Sequence, residues 1–472
     1  MPTGNPLSSI GNEESVHPGT LAERIIPRDQ HPISRKNISS SALKVLYRLH
    51  EAGFSACLVG GAVRDLLLGR VPKDFDVATD ATPEQVRQLF RNCRLIGRRF
   101  RLAHVVYGRE IIEVATFRSG DDDGSGDREL DNGRLVRDNV FGSIEEDAIR
   151  RDFTVNALYY SIADFTVHDY VGGFADVQAK VLRLIGEPEA RYREDPVRML
   201  RAVRLAAKLG FQIEPASAAP IAVLAPLLEQ ASNARLFDES LKMFLAGHGA
   251  RVFELLLQHD LVAQLLPDTA AALATDHAGL CQDLVLTALR GGDQRVADGR
   301  TVTPAFLFAA LLWPAYAAAV QALLADGHDL AVAERRAADR VILRQAERIA
   351  IPKRFSLPMR EIWWMQSRFP QRQRKRVFRL LNHPRFRAAY DFLDLRASVV
   401  PELVAERDWW AWAQSITPEA LAEQLVGKST KKATATKATP DEGEAKPKQT
   451  RPRRRRNRKA TSVTDASSGE GA

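Results

Sequence analysis

With 472 residues, 45% of them hydrophobic and 27% charged, the chain has the length for two or three cores and the composition of a water-soluble globular protein. Three scattered cysteines (Cys57, Cys93 and Cys281) without CxxC spacing exclude a disulfide framework and a cysteine zinc site, and suit a reducing cytoplasm. The net charge of +8 is confined to one end: residues 428–472 hold 13 Lys+Arg against 5 Asp+Glu, which leaves 54 of each sign in residues 1–427.

In chain order, residues 1–37 are polar, without the basic-then-apolar pattern of a signal peptide, and read as a flexible extension. SALKVLYRLHEAGF has helical periodicity, with Leu43, Val45, Leu46 and Leu49 grouped and Gly53 as its stop. SACLVGG reads as a strand ending on Gly60 and Gly61, and AVRDLLLGR as the helix that follows. Such a turn lets a phosphate approach the backbone, although a plain tight turn has the same letters.

PKDFDVAT (72–79) reads as a strand, in which Asp74 and Asp76 share one face. Two like charges side by side are costly without a cation between them, and close-set carboxylate oxygens suit Mg2+ carrying substrate phosphates. TPEQVRQLFRNC reads as a helix with Thr82 as N-cap and Pro83 in its first turn. RLAHVVY and REIIEVATFR alternate as strands, SGDDDGSGDRELDNGR reads as a mobile polar loop, and EEDAIRRDFTVNALYYSI as a helix. FTVHDYVGGFADVQAKVLRLIG completes this block.

Beyond about residue 190 the patterns are helical, with breaks at Pro267, Gly291, Pro304 and Pro352. AFLFAALLWPAYAAAV (305–320) falls short of a membrane span and contains Pro314, so it reads as two buried helices. In EDPVRMLRAVRLAAKLG, Asp195 reads as an N-cap and Pro196 as the first helical residue. Arg198, Arg201 and Arg204 recur along one side of that helix, a pattern ordinarily belonging to a solvated face.

From Lys353 to Arg387 there are 11 Lys+Arg against Glu361 alone, interleaved with Phe355, Trp363, Trp364, Phe369, Phe378 and Phe386. The charges suit RNA contact, with Lys353, Arg354, Arg372, Arg374, Lys375 and Arg376 as candidates, while the rings read mainly as core. The tail lacks large apolar residues and reads as a disordered basic arm; its cluster Arg453, Arg454, Arg455 and Arg456 suits a polyanion. His259-Asp260 and Asp276-His277 offer too few ligands for a metal-dependent phosphohydrolase.

LVGGAVRDLLLG followed by KDFDVATDATPEQV resembles the head of the class II nucleotidyltransferases of the DNA polymerase β superfamily, which comprise the tRNA CCA-adding enzymes and the bacterial poly(A) polymerases. The likeness continues through RRDFTVNALYY (150–160) and REDPVRMLRAVRLAAKLGF (193–211). It implies an α+β fold: a polymerase β-like head with a small mixed sheet, an all-α body and a disordered basic tail. The expected divisions are extension 1–37, head 38–185, neck helices 186–250, body 251–427 and tail 428–472.

The resemblance further implies Asp74 and Asp76 as metal-binding catalytic carboxylates, with Mg2+ as cofactor and ATP as substrate. Gly60, Gly61, Arg64 and Asp65 would lie against triphosphate and ribose, as would Arg151, Asp152 and Asn156, and Asp152 would also count as an active-site carboxylate. Glu113 is the candidate third carboxylate, with an exposed strand glutamate as its plain alternative. Asp195 and Arg198 would read the nucleobase edge, with Arg201 and Arg204 beside them.

GRRFRLAHV (97–105), FGSIEEDAIRRDFTVNALYYSIADFTVHDYVGG and HPRFRAAYDFLDLRA resemble the poly(A) polymerase subgroup. The implied activity is AMP addition to RNA 3′ ends in RNA turnover, in the cytoplasm, with RNA-decay proteins as partners. CCA addition to tRNA and a non-catalytic RNA-binding role on the same scaffold are the alternatives.

Overall fold

The computed structural model describes residues 23–97, 101–119, 128–131, 134–138 and 141–426. They divide after Ser415, and the described part of the second unit, 416–426, holds the helix Pro418–Val426.

Among the described residues ten strands belong to the head: β1 (Arg24–Ile26), β2 (Ala56–Val59), β3 (Asp76–Thr79), β4 (Cys93–Ile96), β5 (Leu102–Tyr107), β6 (Glu110–Thr116), β7 (Arg128–Asp131), β8 (Arg134–Asp138), β9 (Leu158–Ser161) and β10 (Val167–Asp169). Eight form one sheet in the order β1-β10-β9-β2-β3-β6-β5-β4, and β7 pairs with β8. Within the large sheet only β3 and β6 run parallel, which sets Asp76 opposite Glu113.

Helix α1 (Ser40–Glu51) starts where the Ser39 hydroxyl accepts from the Ala42 amide, buries Val45, Leu46 and Leu49, and turns back at Gly53 with φ +87°. The short α2 (Gly61–Leu67) follows β2 directly. α3 (Pro83–Leu89) carries the expected Thr82 cap, completed by Gln85 as a capping box.

Several expectations need correction. β1 completes the sheet edge against β10, so the described part of the extension expected over 1–37 is not loose, and residues 1–22 lie outside the described residues. β3 begins at Asp76, and Asp74 lies just before it, so the two carboxylates share the sheet's mouth and not one strand face. The helix expected over 145–162 stops as α4 (Ile144–Arg150). Beyond it Phe153, Val155, Leu158, Tyr159 and Tyr160 are fully buried and β9 fills the slot between β2 and β10, so sheet packing overrides helical periodicity.

Part of the polar loop at 119–134 is the β7–β8 hairpin, and 120–127 lie outside the described residues. Gly291 sits inside one continuous helix, Leu280–Ala297. A short parallel pair, Val181–Leu182 with Gln212–Ile213, lies partly within the stretch expected to be helical.

α5 (Gly173–Ala179), α6 (Pro188–Glu194) and α7 (Val197–Leu209) lead into a helical body. Its core includes Pro304–Leu311 and Trp313–Ala325, bent by 52°; Leu307, Phe308 and Leu311 are buried, and the Trp363 indole donates to the Ala309 carbonyl at 3.0 Å. Among the described residues no single helix is long and apolar enough to cross a membrane.

Candidate active site

The mouth of the sheet is built by β2, β3 and β6. Gly60 ends β2 with φ +74° and ψ −136°, a conformation open to glycine, and a side chain there would face Arg151 Nη1 at 3.7 Å. Beside it, Arg64 and Asp65 are buried (3% and 8% exposed). The Arg64 guanidinium donates to Asp65 Oδ1 at 2.7 and 2.9 Å and to Asn156 Oδ1. Two predicted nucleotide contacts, Arg64 and Asn156, are thus one hydrogen-bonded unit.

Asp74 and Asp76 make no ion pair among the described residues. Asp76 is exposed by accessible area, yet protein crowds it enough to push its carboxyl up to about 6. Burial is the largest cause, the Glu113 charge adds to it, Arg151 opposes it, and Asp74 adds again. Glu113 lies opposite Asp76 in register and meets His104 Nε2 at 3.4 Å, so the expected third carboxylate faces the same mouth.

Among the described residues no three His, Cys, Asp or Glu side chains are arranged as a metal cage. Two to three hard oxygen donors without a cation still fit Mg2+, which takes one or two carboxylates and fills its remaining positions with water and substrate phosphate.

The side of the site that meets the neck helices is built differently. Arg151 donates to Asp147 Oδ2 at 2.8 Å and to the Tyr159 hydroxyl at 2.9 Å. Burial works against its charge, but these partners raise its pKa further. Asp152 accepts from Arg201 Nε at 2.8 Å, from the same guanidinium's Nη2 and from the Phe153 amide at 2.9 Å. Burial would raise its pKa, and Arg201 holds it below the ordinary carboxylate value.

Helix α7 starts at Val197, whose amide donates to Asp195 Oδ1 at 3.2 Å, so Asp195 caps as expected, one residue before the assigned first turn. Its other oxygen accepts from Arg235 Nη2 at 2.6 Å. Arg198 Nη1 reaches Glu194 at 2.7 Å and the Arg191 carbonyl at 2.8 Å. Arg151, Asp152, Asp195, Arg198, Arg201 and Arg235 line a cavity of about 290 Å³.

The arginine side of α7 is therefore not a solvated face: each of its three arginines meets a carboxylate from outside the helix. Arg204 is drawn to Glu239, 3% exposed, and stands apart from this cavity's lining. Glu194 stands in the Glu-Asp-x-x-Arg motif without an assigned role, while the sequence does not single out Arg235 and Asp147; Arg235 is 40 residues from Asp195 and carries no local signal.

In the body, Trp363, Phe369 and Phe386 are core, as the helical pattern implies, while Trp364 is 41% exposed. Arg372 is tied to Glu406 at 2.7 Å and stacks over Trp409 at 3.7 Å, whereas Lys353, Arg354, Arg374, Lys375 and Arg376 are exposed. Arg453, Arg454, Arg455 and Arg456 lie outside the described residues.

Residues 56–183 match the family model described as the poly A polymerase head domain, 210–273 a probable RNA and SrmB-binding site of polymerase A, and 326–460 the polymerase A arginine-rich C-terminus. Poly(A) polymerase I of Salmonella typhi is 51% identical over 419 residues, 87% of this chain and 90% of that protein. The CCA-adding enzyme of Bacillus subtilis is 40% identical, over 48% of this chain and 55% of its own length. The solved CCA-adding enzyme of Bacillus stearothermophilus, in complex with CTP, superposes with a TM-score of 0.54 at 26% identity, covering 83% of this chain and 82% of that one.

Proposed function

The chain belongs to the poly(A) polymerase family, and we infer from this that it is a template-independent polynucleotide adenylyltransferase, adding AMP from ATP to RNA 3′ ends and releasing pyrophosphate. The observation that carries the reading is the contrast in coverage: likeness to a poly(A) polymerase I runs through head, neck and body, while likeness to a CCA-adding enzyme spans about half of this chain.

The following residue roles are our own assignment. The RNA 3′-oxygen attacks the α-phosphorus of ATP in line, that P–O bond forms as the bond to the β-phosphate oxygen breaks, and pyrophosphate leaves. Asp74 and Asp76 would hold a divalent cation, taken to be Mg2+, which supplies charge neutralisation at the α-phosphate and acidifies the attacking hydroxyl. Glu113 adds negative charge beside Asp76 that favours the cation.

Gly60 and Gly61 let the triphosphate lie against the backbone, and the Arg64–Asp65–Asn156 unit presents a fixed polar surface to the ribose. Arg151, held by Asp147 and Tyr159, meets phosphate without reorganising.

Base choice is assigned to the neck cavity. Asp195 and Arg198 offer an acceptor and a donor to one base edge, and their own partners, Arg235 and Glu194, hold them in place. Arg201 positions Asp152, and Arg204 acts through the packing of α7. The exposed body cations Lys353, Arg354, Arg374, Lys375 and Arg376, with Arg372 and the tail cluster, would carry the RNA backbone. A role in RNA turnover, with RNA-decay proteins as partners and in the cytoplasm, completes the proposal.

Primer extension with Mg2+ tests it, comparing oligo(A) with a tRNA lacking its 3′ end, each given ATP alone or with CTP. Long ladders from ATP on oligo(A) are expected. Addition limited to three nucleotides on the tRNA, requiring CTP, would instead make the chain a CCA-adding enzyme.

A further inference from the structure

A second cavity, of about 310 Å³, lies in the body between the helices Leu330–Ala346 and Lys353–Gln366, clear of every residue assigned above to ATP. Its volume falls at the lower end of the ~300–1,000 Å³ typical of small-ligand sites. Ala331 and Ala338, two turns apart on the first helix, leave the space that larger side chains would fill. Its functional lining is Tyr316, Glu334, Arg335, Arg360, Trp364 and Arg368.

Three features of this lining point to a ligand. Trp364 keeps 41% of its surface exposed, and the Arg368 guanidinium, fixed by Glu334 and by the Trp364 carbonyl, lies over its ring at 4.2 Å. The guanidinium thus holds the indole in place from one side, while the rest of the ring stays partly exposed. Tyr316 is 4% exposed and its ring stacks on Trp363 at 4.5 Å, yet its hydroxyl makes no hydrogen bond among the described residues. That hydroxyl is open to the cavity, where a polar group of a ligand can bond to it.

Arg335 is exposed and makes no ion pair among the described residues. Arg360 reaches Asp339 on the facing helix at 2.7 Å, and because both side chains meet solvent this is an exchangeable surface pair.

A fixed aromatic platform, an unpaired hydroxyl and two available guanidinium groups match one ligand chemistry, an unpaired nucleotide: the base stacks on the ring and the phosphate meets the arginines. We propose that this cavity is a second nucleotide subsite, separate from the ATP site, which takes one nucleotide of the single-stranded RNA being extended. The source is assigned to RNA because it rests on the function proposed above and because Lys353 and Arg354, both exposed, stand on the same helix as Trp364 and Arg360, which offers a polynucleotide backbone further cations beyond the cavity.

The test is fluorescence anisotropy of a labelled oligo(A) on the full chain, with Trp364→Ala, Trp364→Phe and Arg335→Ala, each checked for an unchanged thermal melt. Loss of one base stack should weaken binding by ~5- to 100-fold in Trp364→Ala. Trp364→Phe, which keeps a ring, should restore most of it. Arg335→Ala should reduce the slope of log affinity against log salt by about one.

Wild-type affinity in Trp364→Ala, or an equal loss in Trp364→Phe, would overturn the subsite and leave the polymerase reading intact. Displacement of the RNA by micromolar free AMP, abolished in Trp364→Ala, would overturn the RNA source in favour of a free nucleotide. Failure of the wild type to bind oligo(A) at all would instead bring down the proposed function.

Discussion

The head and the neck of this molecule both gather acidic side chains at one site, and they treat the charge in opposite ways. In the neck, Asp195, Glu194 and Glu239 each bond to a guanidinium, from Arg235, Arg198 and Arg204, and the neck's Arg201 likewise holds Asp152 of the head. In the head, Asp74 and Asp76 have no such partner among the described residues, and Glu113 beside them has only a histidine. A paired carboxylate is finished as a structural part and fixes the position of its partner. An unpaired one sits at higher free energy and is available for a cation brought from outside.

The contrast is broken most sharply by removing a head carboxylate. Asp76→Ala should cut AMP incorporation by at least ~10²-fold at saturating ATP, the scale of losing a main stabiliser of transition-state charge. RNA affinity, read by anisotropy, should stay near wild type. Retained turnover would sink the catalytic assignment.

In the neck the corresponding damage is to stability. Arg204→Met leaves Glu239, 3% exposed, with only Lys242 at 3.6 Å, and should cost about 3 kcal/mol in urea unfolding. Adding Glu239→Met should recover most of that loss, because the stranded charge goes with it. If the double variant is as unstable as the single one, Arg204 matters for its packing and not for its pairing.

A smaller effect sharpens the neck's second role. Arg198→Ala should lower the preference for ATP over CTP by ~10- to 100-fold, the range for one base-reading contact, as measured by competing nucleotides on one primer. An unchanged preference would move base choice away from Arg198.

The two regions also differ in how much of them the sequence discloses. The head's chemistry is local: Gly60-Gly61, Asp74-Asp76 and Arg151-Asp152 lie in short motifs, and the β3–β6 register then carries Glu113 to Asp76. Apart from Arg198 with Glu194, the neck's pairings are long-range. Arg235 to Asp195 and Arg204 to Glu239 span 40 and 35 residues, and nothing in the arginine repeat of α7 distinguishes a solvated face from a paired one. For the same reason YYS at 159–161 reads as helix in isolation: its strand conformation is decided by β2 and β10 on either side. The body's rings divide on burial alone, which places Trp363 inside and Trp364 at the surface although they are adjacent.

The smallest effect separates function from folding at one residue. The Asp76 carboxyl titrates at about 6 in the folded chain against an ordinary 3.8, so the folded state holds its proton more tightly than the unfolded state does. Stability therefore falls as pH rises from about 4 to 6, and the full penalty of the ionised carboxylate is present above that. Asp76→Asn removes the charge and should stabilise the metal-free protein at pH 8. Because Asp76 is exposed, solvent screening limits the gain to on the order of 1 kcal/mol. The gain should shrink as pH falls through 6 and vanish below 4, while the same variant stays inactive at every pH. Thermal melts in EDTA at pH 8 and pH 4 check both ends, and a variant less stable than wild type at pH 8 would mean that Asp76 is already neutralised within the fold.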